Sequence, residues 1–199
     1  MIRWTRIFAS CLLWLSAGTA IAAAPSPYEI IQKTADELLV VVKSRRAELE
    51  ASPAALYEVV DQILRPNFDV AYAGRLVLGR YWQRSTADQR ERFTEALYQS
   101  VVRKYARGLL GYDEDTVRIF PQTGLIGVDQ DFVTVKTEVN AGDSIKVPVN
   151  YRTRWVDGSW KVFDVIVEGL SYVTYYRDLI GKDVRNKGLD TVIENLSQS

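Results

Sequence analysis

The sequence contains no histidine and a single cysteine, Cys11. Without histidine there is no Ser-His-Asp triad and no imidazole to hold zinc. Cys11 falls in an expected leader, so the remaining chain has neither disulfide nor thiol nucleophile. General acid–base chemistry is left to Asp, Glu, Lys and Tyr. A basic surplus is also missing: 25 Lys and Arg face 25 Asp and Glu. If Arg3 and Arg6 leave with the leader, the net charge is about −2, which argues against a nucleic-acid binder. Beyond the leader, no hydrophobic run reaches the roughly 20 residues of a membrane span. Repeats, low-complexity segments and linkers are absent too.

The leader is read from residues 1–24, MIRWTRIFASCLLWLSAGTAIAAA. Two arginines precede an apolar run that is too short to span, and Ala20-Ile21-Ala22 and Ala22-Ala23-Ala24 offer small-residue cleavage sites. A secretory signal peptide is therefore expected, and a soluble, exported domain over residues 25–199. A lipoprotein reading through Cys11 is weak, because almost no apolar segment precedes the cysteine.

The first half of that domain reads as helix. Ile30, Ile31, Thr34, Leu38, Val41, Val42, Arg45 and Leu49 recur at three and four, which predicts one helix from Pro27 to Glu50. Ser52-Pro53 is a cap followed by proline at the first helical position, and Arg65-Pro66 ends that second helix. Asn67 or Asp69 can cap the next, which Gly79 interrupts. Thr86 and Gln89 form a capping box. The helix they open carries the stripe Phe93, Leu97, Val101, Tyr105.

The second half changes period to two. VRIF (117–120), DFVTVKTEVNA (131–141), SIKVPVNYRTRWVD (144–157) and SWKVFDVIVEG (159–169) read as strands. Ala141-Gly142-Asp143 and Asp157-Gly158 are turn signals, and the second suits a two-residue hairpin. Pro148 lacks a ladder donor, so it calls for an edge position or a bulge. WKVFDVIVEGLSYVTYY (160–176) is unusual. Phe163, Val165 and Val167 form one apolar set and Trp160, Val162 and Ile166 another, with Asp164 among the second. Helical pattern returns after Gly169. The order of elements predicts a single α+β domain: N-terminal helices packed on a curved antiparallel sheet of about four strands.

YAGRLVLGRYWQRSTADQRERF (72–93), WKVFDVIVEGLS (160–171) and RNKGLDTVIENL (185–196), in this order behind a signal peptide, resemble the MlaC, or toluene-tolerance, family of periplasmic phospholipid-binding proteins. The resemblance implies a nuclear-transport-factor-like cone with an apolar cavity, and no catalysis. It also implies a carrier that shuttles glycerophospholipid across the periplasm and maintains outer-membrane lipid asymmetry. Its partners would be an outer-membrane lipoprotein–porin complex and an inner-membrane ABC transporter. No cofactor is implied; phospholipid is the bound ligand.

On that footing Val133, Val135, Val147, Val149, Tyr151, Val165 and Val167 are the sheet-side candidates for the lipid-binding wall. Leu76, Leu78, Tyr81, Leu97, Val101, Tyr105, Leu170 and Val173 are the helix-side candidates. Each alone is equally an ordinary core residue. LSYVTYY (170–176) is expected at the cavity rim.

Asp164 carries the alternative, a cone-fold enzyme or another small apolar-ligand binder. Isomerases of this general fold use a pocket aspartate beside a tyrosine, and Tyr151, Tyr172 or Tyr175 would supply the phenol. The competing expectation pairs Asp164 with Arg152, Arg154 or a backbone donor. Arg75, Arg80, Arg84, Arg90 and Arg92 form either a steering or phosphate patch or a solvated helix face. Arg177 is either a cavity-mouth residue or an ordinary surface arginine. Asp113-Glu114-Asp115 lacks the alternate spacing of a calcium loop, and Asp129-x-Asp131 lacks its glycine and distal glutamate, so no metal is expected.

Overall fold

A computed structural model describes residues 25–111, 117–120, 131–140 and 145–199. The leader, the 113–115 acidic run, Asp129 and the 141–143 turn lie outside them.

Helices start where the sequence offers caps. The Ser26 hydroxyl accepts from the Glu29 amide at 3.2 Å, and the Glu29 carboxylate accepts from the Ser26 amide at 2.6 Å, opening α1 (Pro27–Ser44). The single helix predicted over 27–50 is broken at Arg45, whose φ of −118° and ψ of 17° leave the helical region. The chain turns there into α2 (Arg46–Ala51), so that Leu49 packs in one cluster with Val42 and Leu56. Ser52 caps α3 (Pro53–Leu64), Asp69 caps α4 (Val70–Leu78), and Thr86 with Gln89 caps α5 (Ala87–Tyr105). Gly79, at φ 54°, ends α4. Two helices follow the sheet, α6 (Tyr172–Lys187) and α7 (Leu189–Gln198).

Among the described residues the sheet has five strands rather than about four, paired antiparallel in chain order: β1 (Val117–Ile119), β2 (Phe132–Asn140), β3 (Lys146–Val156), β4 (Ser159–Val167) and β5 (Leu170–Ser171). Asp157 and Gly158, at φ 49° and 78°, make the two-residue turn between β3 and β4. Both angles are positive, as the twist of a tight hairpin requires. The extra strand follows a second such turn, at Glu168-Gly169. Pro148 sits inside β3 without breaking the ladder. Its carbonyl accepts from the Glu168 amide, so its nitrogen faces the same side, just past the end of the β3–β4 ladder at Val167. Locally that is an edge, where proline costs no ladder bond.

Among the described residues, three apolar clusters hold the layers together. One joins α4, α5, α6 and α7 around Phe93, Leu97, Val173 and Ile180. A second joins α1, α2, α3 and α5 around Val42, Leu49, Leu56 and Val60. The third seats Ile31 of α1 on Val135 and Val162 of the sheet. Among the described residues, no helix is long and apolar enough to cross a membrane.

Candidate functional site

β4 resolves its two apolar faces with a bulge. Arg152 of β3 pairs with Asp164, but the next residue, Thr153, pairs with Val162, so Phe163 is the extra residue. Directly opposed residues share a face. Trp160, Val162, Val165 and Val167 therefore lie on one side, with Trp155, Thr153, Tyr151 and Val149 of β3. Phe163 turns to the other side, against Phe132 at 5.8 Å between ring centroids and under the Arg152 guanidinium. The expected grouping of Phe163 with Val165 and Val167 is corrected: one inserted residue shifts the alternation.

At this edge of the sheet, α4, α5 and α6 border a half-open apolar cavity of about 110 Å³. α4 brings Val70, Ala73, Gly74 and Val77, α5 brings Thr94, Leu97, Tyr98 and Val101, α6 brings Tyr172, Val173 and Tyr176, and the sheet side brings Phe163, Asp164 and Val165. Phe68, bridged to Val162 of β4, closes one side.

The structure gathers Leu97, Val101, Val165 and Val173 of the candidate set around this space. Leu78 is buried in the α4–α7 cluster, and Leu76 and Tyr81 pack against it. Val135 is buried under α1, with Tyr151 beside it. Val133, Val147, Val149 and Val167 are half-buried on the sheet. Tyr105 is 38% exposed and Leu170 52% exposed. The wall contributed by α4 was not among the candidates. Its signal was present: Val70, Ala73, Gly74 and Val77 recur at three and four, with two small residues adjacent.

Those small residues let α4 approach α5. A Cβ added at Gly74 would stand 2.6 Å from the Thr94 hydroxyl oxygen and 3.0 Å from its methyl. Gly74→Ala is therefore expected to destabilise the fold by about 1–3 kcal/mol, the usual cost of overpacking. Adding Thr94→Ala should recover part of the loss, as read from urea midpoints of the single and double variants.

Asp164 is 2% exposed and fully engaged. It accepts from the Ser171 hydroxyl at 2.7 Å and from the Val173 amide at 3.0 Å, and Arg152 stands 3.5 Å away. Ser171 is also the cap of α6. The carboxylate thus fastens β4 to the first turn of α6, where the helix dipole favours negative charge. Arg154 pairs instead with Asp69 at 3.0 Å.

The rim carries phenols. Tyr105 meets Tyr172 edge-on at 5.5 Å, Tyr175 meets Tyr176 at 5.2 Å, and Tyr172 lies 6.2 Å from Tyr176. Burial first, and Tyr105 second, push Tyr172 up to about 12 and raise Tyr176 as well. Burial also acts to raise Tyr105, but Tyr176, Tyr172 and Lys104 together outweigh it and hold that phenol below its ordinary value. Of the arginines of the 75–93 segment, Arg75, Arg80 and Arg84 are exposed and two are engaged in the fold. Arg90 donates to the Trp82 carbonyl, and Arg92 pairs with Asp88 and Asp190. Arg177 donates to the Leu76 carbonyl at 2.8 Å, near the C-terminus of α4. Among the described residues no acidic cluster is arranged to hold a metal.

Helices wrapped on one edge of an open antiparallel sheet, around a space bounded almost wholly by carbon, define an α+β protein with an apolar pocket. The chain belongs to the MlaC protein family, whose pattern matches residues 32–198. It is 29% identical, over 99% of its length and 92% of the relative's, to the intermembrane phospholipid transport system binding protein MlaC of Haemophilus influenzae. It is 27% identical, over 84% of its length and 77% of the relative's, to the toluene tolerance protein ttg2D of Pseudomonas putida. Its fold matches that of a phospholipid-binding protein from Ralstonia solanacearum, solved in complex with a phospholipid. The TM-score is 0.79 and the identity 21%, covering 87% of this chain and 96% of that one.

Proposed function

We propose that this chain is a periplasmic phospholipid carrier that holds acyl chains between α4–α6 and the sheet. The observation that carries the reading is the carbon-lined cavity in a chain of the MlaC family. The two chains of a phospholipid hold roughly 30 methylenes, and hiding them from water is worth on the order of 24 kcal/mol. A bilayer already supplies that, so a carrier must come close to matching it. An apolar cavity of about 150 Å³ accepts one benzene. At about 110 Å³ this one must widen to take acyl chains. The half-buried valines 133, 147, 149 and 167 continue the apolar sheet surface beyond Val165. They supply further wall once the helices part from the sheet.

In this reading residues 1–24 are a cleaved signal peptide and residues 25–199 the lipid-binding domain. Lipid passes between an outer-membrane lipoprotein–porin complex and an inner-membrane ABC transporter, which maintains outer-membrane lipid asymmetry. Direction comes from the transporter. The chain performs no catalysis: Asp164, with three partners, serves as a structural tie. Denaturing extraction and mass spectrometry of protein expressed in a Gram-negative host should recover glycerophospholipid near one molecule per chain. Recovery of none would remove the basis of the proposal.

A further inference from the structure

The α5 stripe Leu97, Val101, Tyr105 runs from the cavity wall to solvent, and so does the α6 pair Tyr172 and Tyr176 through Tyr175. The wall ends in phenols: Tyr172 and Tyr176 still line the cavity, whereas Tyr105 and Tyr175 are 38% and 39% exposed. A cation stands at this end. The Lys104 ammonium is 5.5 Å from the Tyr105 ring and 6.0 Å from the Tyr176 ring. Among the described residues no carboxylate forms an ion pair with it. An apolar pocket closing with tyrosines is ordinary. A pocket closing with four tyrosines and a lysine that has no ion pair among the described residues has a place for an anion bearing an apolar tail.

We propose that Lys104 with the hydroxyls of Tyr105, Tyr172 and Tyr176 forms a clamp for the phosphodiester of a lipid whose tails occupy the cavity. The inference rests on the carrier reading and deepens it. The ammonium supplies charge and the hydroxyls supply donors, and both meet the phosphate where water is partly excluded. Phenols ionise well above neutral pH, so the hydroxyls remain donors there. The α6 N-terminus does not compete for the phosphate, because Asp164 already occupies its Val173 amide. The clamp reads the phosphodiester, which glycerophospholipids share, so it distinguishes phospholipid from neutral lipid and not one head group from another.

The test loads the purified, delipidated full domain with equimolar dioleoylphosphatidylglycerol and dioleoylglycerol, and separately with dioleoylphosphatidylethanolamine and dioleoylglycerol, and measures occupancy by native mass spectrometry. The tails are identical, so the ratio isolates the phosphate. The unmodified domain should favour both phospholipids. Lys104→Gln should lower both ratios roughly three- to tenfold, within the range of a partly exposed charge-assisted contact. Tyr105→Phe combined with Tyr172→Phe should lower them further. Glycerophosphate added without tails should not displace the lipid. Unchanged ratios in both variants overturn the clamp and leave the carrier standing. If neither lipid loads, the carrier reading fails and takes the clamp with it.

Discussion

Replacing Val101 with tryptophan is expected to yield a folded protein that retains no phospholipid. Val101 lies one helical turn beyond Leu97 on α5, and both line the cavity. An indole directed from this position takes up most of about 110 Å³. In a filled core the same change costs about 1–3 kcal/mol through displaced neighbours. Here the space exists already, so the cost should fall at the low end of that range or vanish. Function should suffer far more, because the first methylenes of an acyl chain would meet an occupied site. Each methylene left in water forfeits about 0.8 kcal/mol, so a few of them suffice to return the lipid to a bilayer. The check pairs thermal unfolding with lipid extraction. A stable variant with undiminished phospholipid would show that the chains lie elsewhere.

The second large effect concerns the fold. Asp164→Ala is expected to destabilise the protein by on the order of 3–5 kcal/mol, because it leaves the Ser171 hydroxyl and the Val173 amide without their acceptor at a buried site. For a domain of this size that corresponds to a fall in melting temperature of roughly 6–20 °C. Arg152, 46% exposed at its side chain, returns to water and adds little. Asp164→Asn keeps an acceptor oxygen, so it should cost less and still carry lipid. This pair of variants separates the tie from a catalytic base. A base would lose its chemistry in both variants whatever their stability, whereas a tie leaves lipid occupancy of the asparagine variant at the unmodified level. Calorimetry alongside lipid extraction reads both quantities.

The legible parts of the fold are those set by neighbours in sequence. Ser26 with Glu29 and Thr86 with Gln89 satisfy helix amides three residues away, so four residues suffice to announce a helix start. Asp157-Gly158 likewise settles a hairpin, because positive φ at both positions is a local requirement. The four longer strands were visible from their alternation. The break at Arg45 was not. The apolar stripe continues through it, and only the packing of Leu49 against Leu56 turns the chain.

The site was less legible for the same reason. Leu97, Val101, Val165 and Val173 stood out as apolar residues, but nothing local separates a wall from a core. Val135 carries the same side chain as Val165 and lies under α1. The bulge at Phe163 arises from the pairing of β4 with β3 and exchanges the faces of every residue beyond it.

By itself the sequence determined the chemistry on offer and the local conformations: no imidazole anywhere, no metal-spaced acidic motif, helices then strands, and caps and turns at named residues. These depend on groups a few bonds apart. Only the tertiary structure decided which residues of WKVFDVIVEGLSYVTYY reach the cavity, that Asp164 is bound to the first turn of α6, and that Tyr105 joins tyrosines more than sixty residues away. Those outcomes depend on strand register and on which surfaces exclude water together. Both are properties of the assembled layers, which no single segment carries.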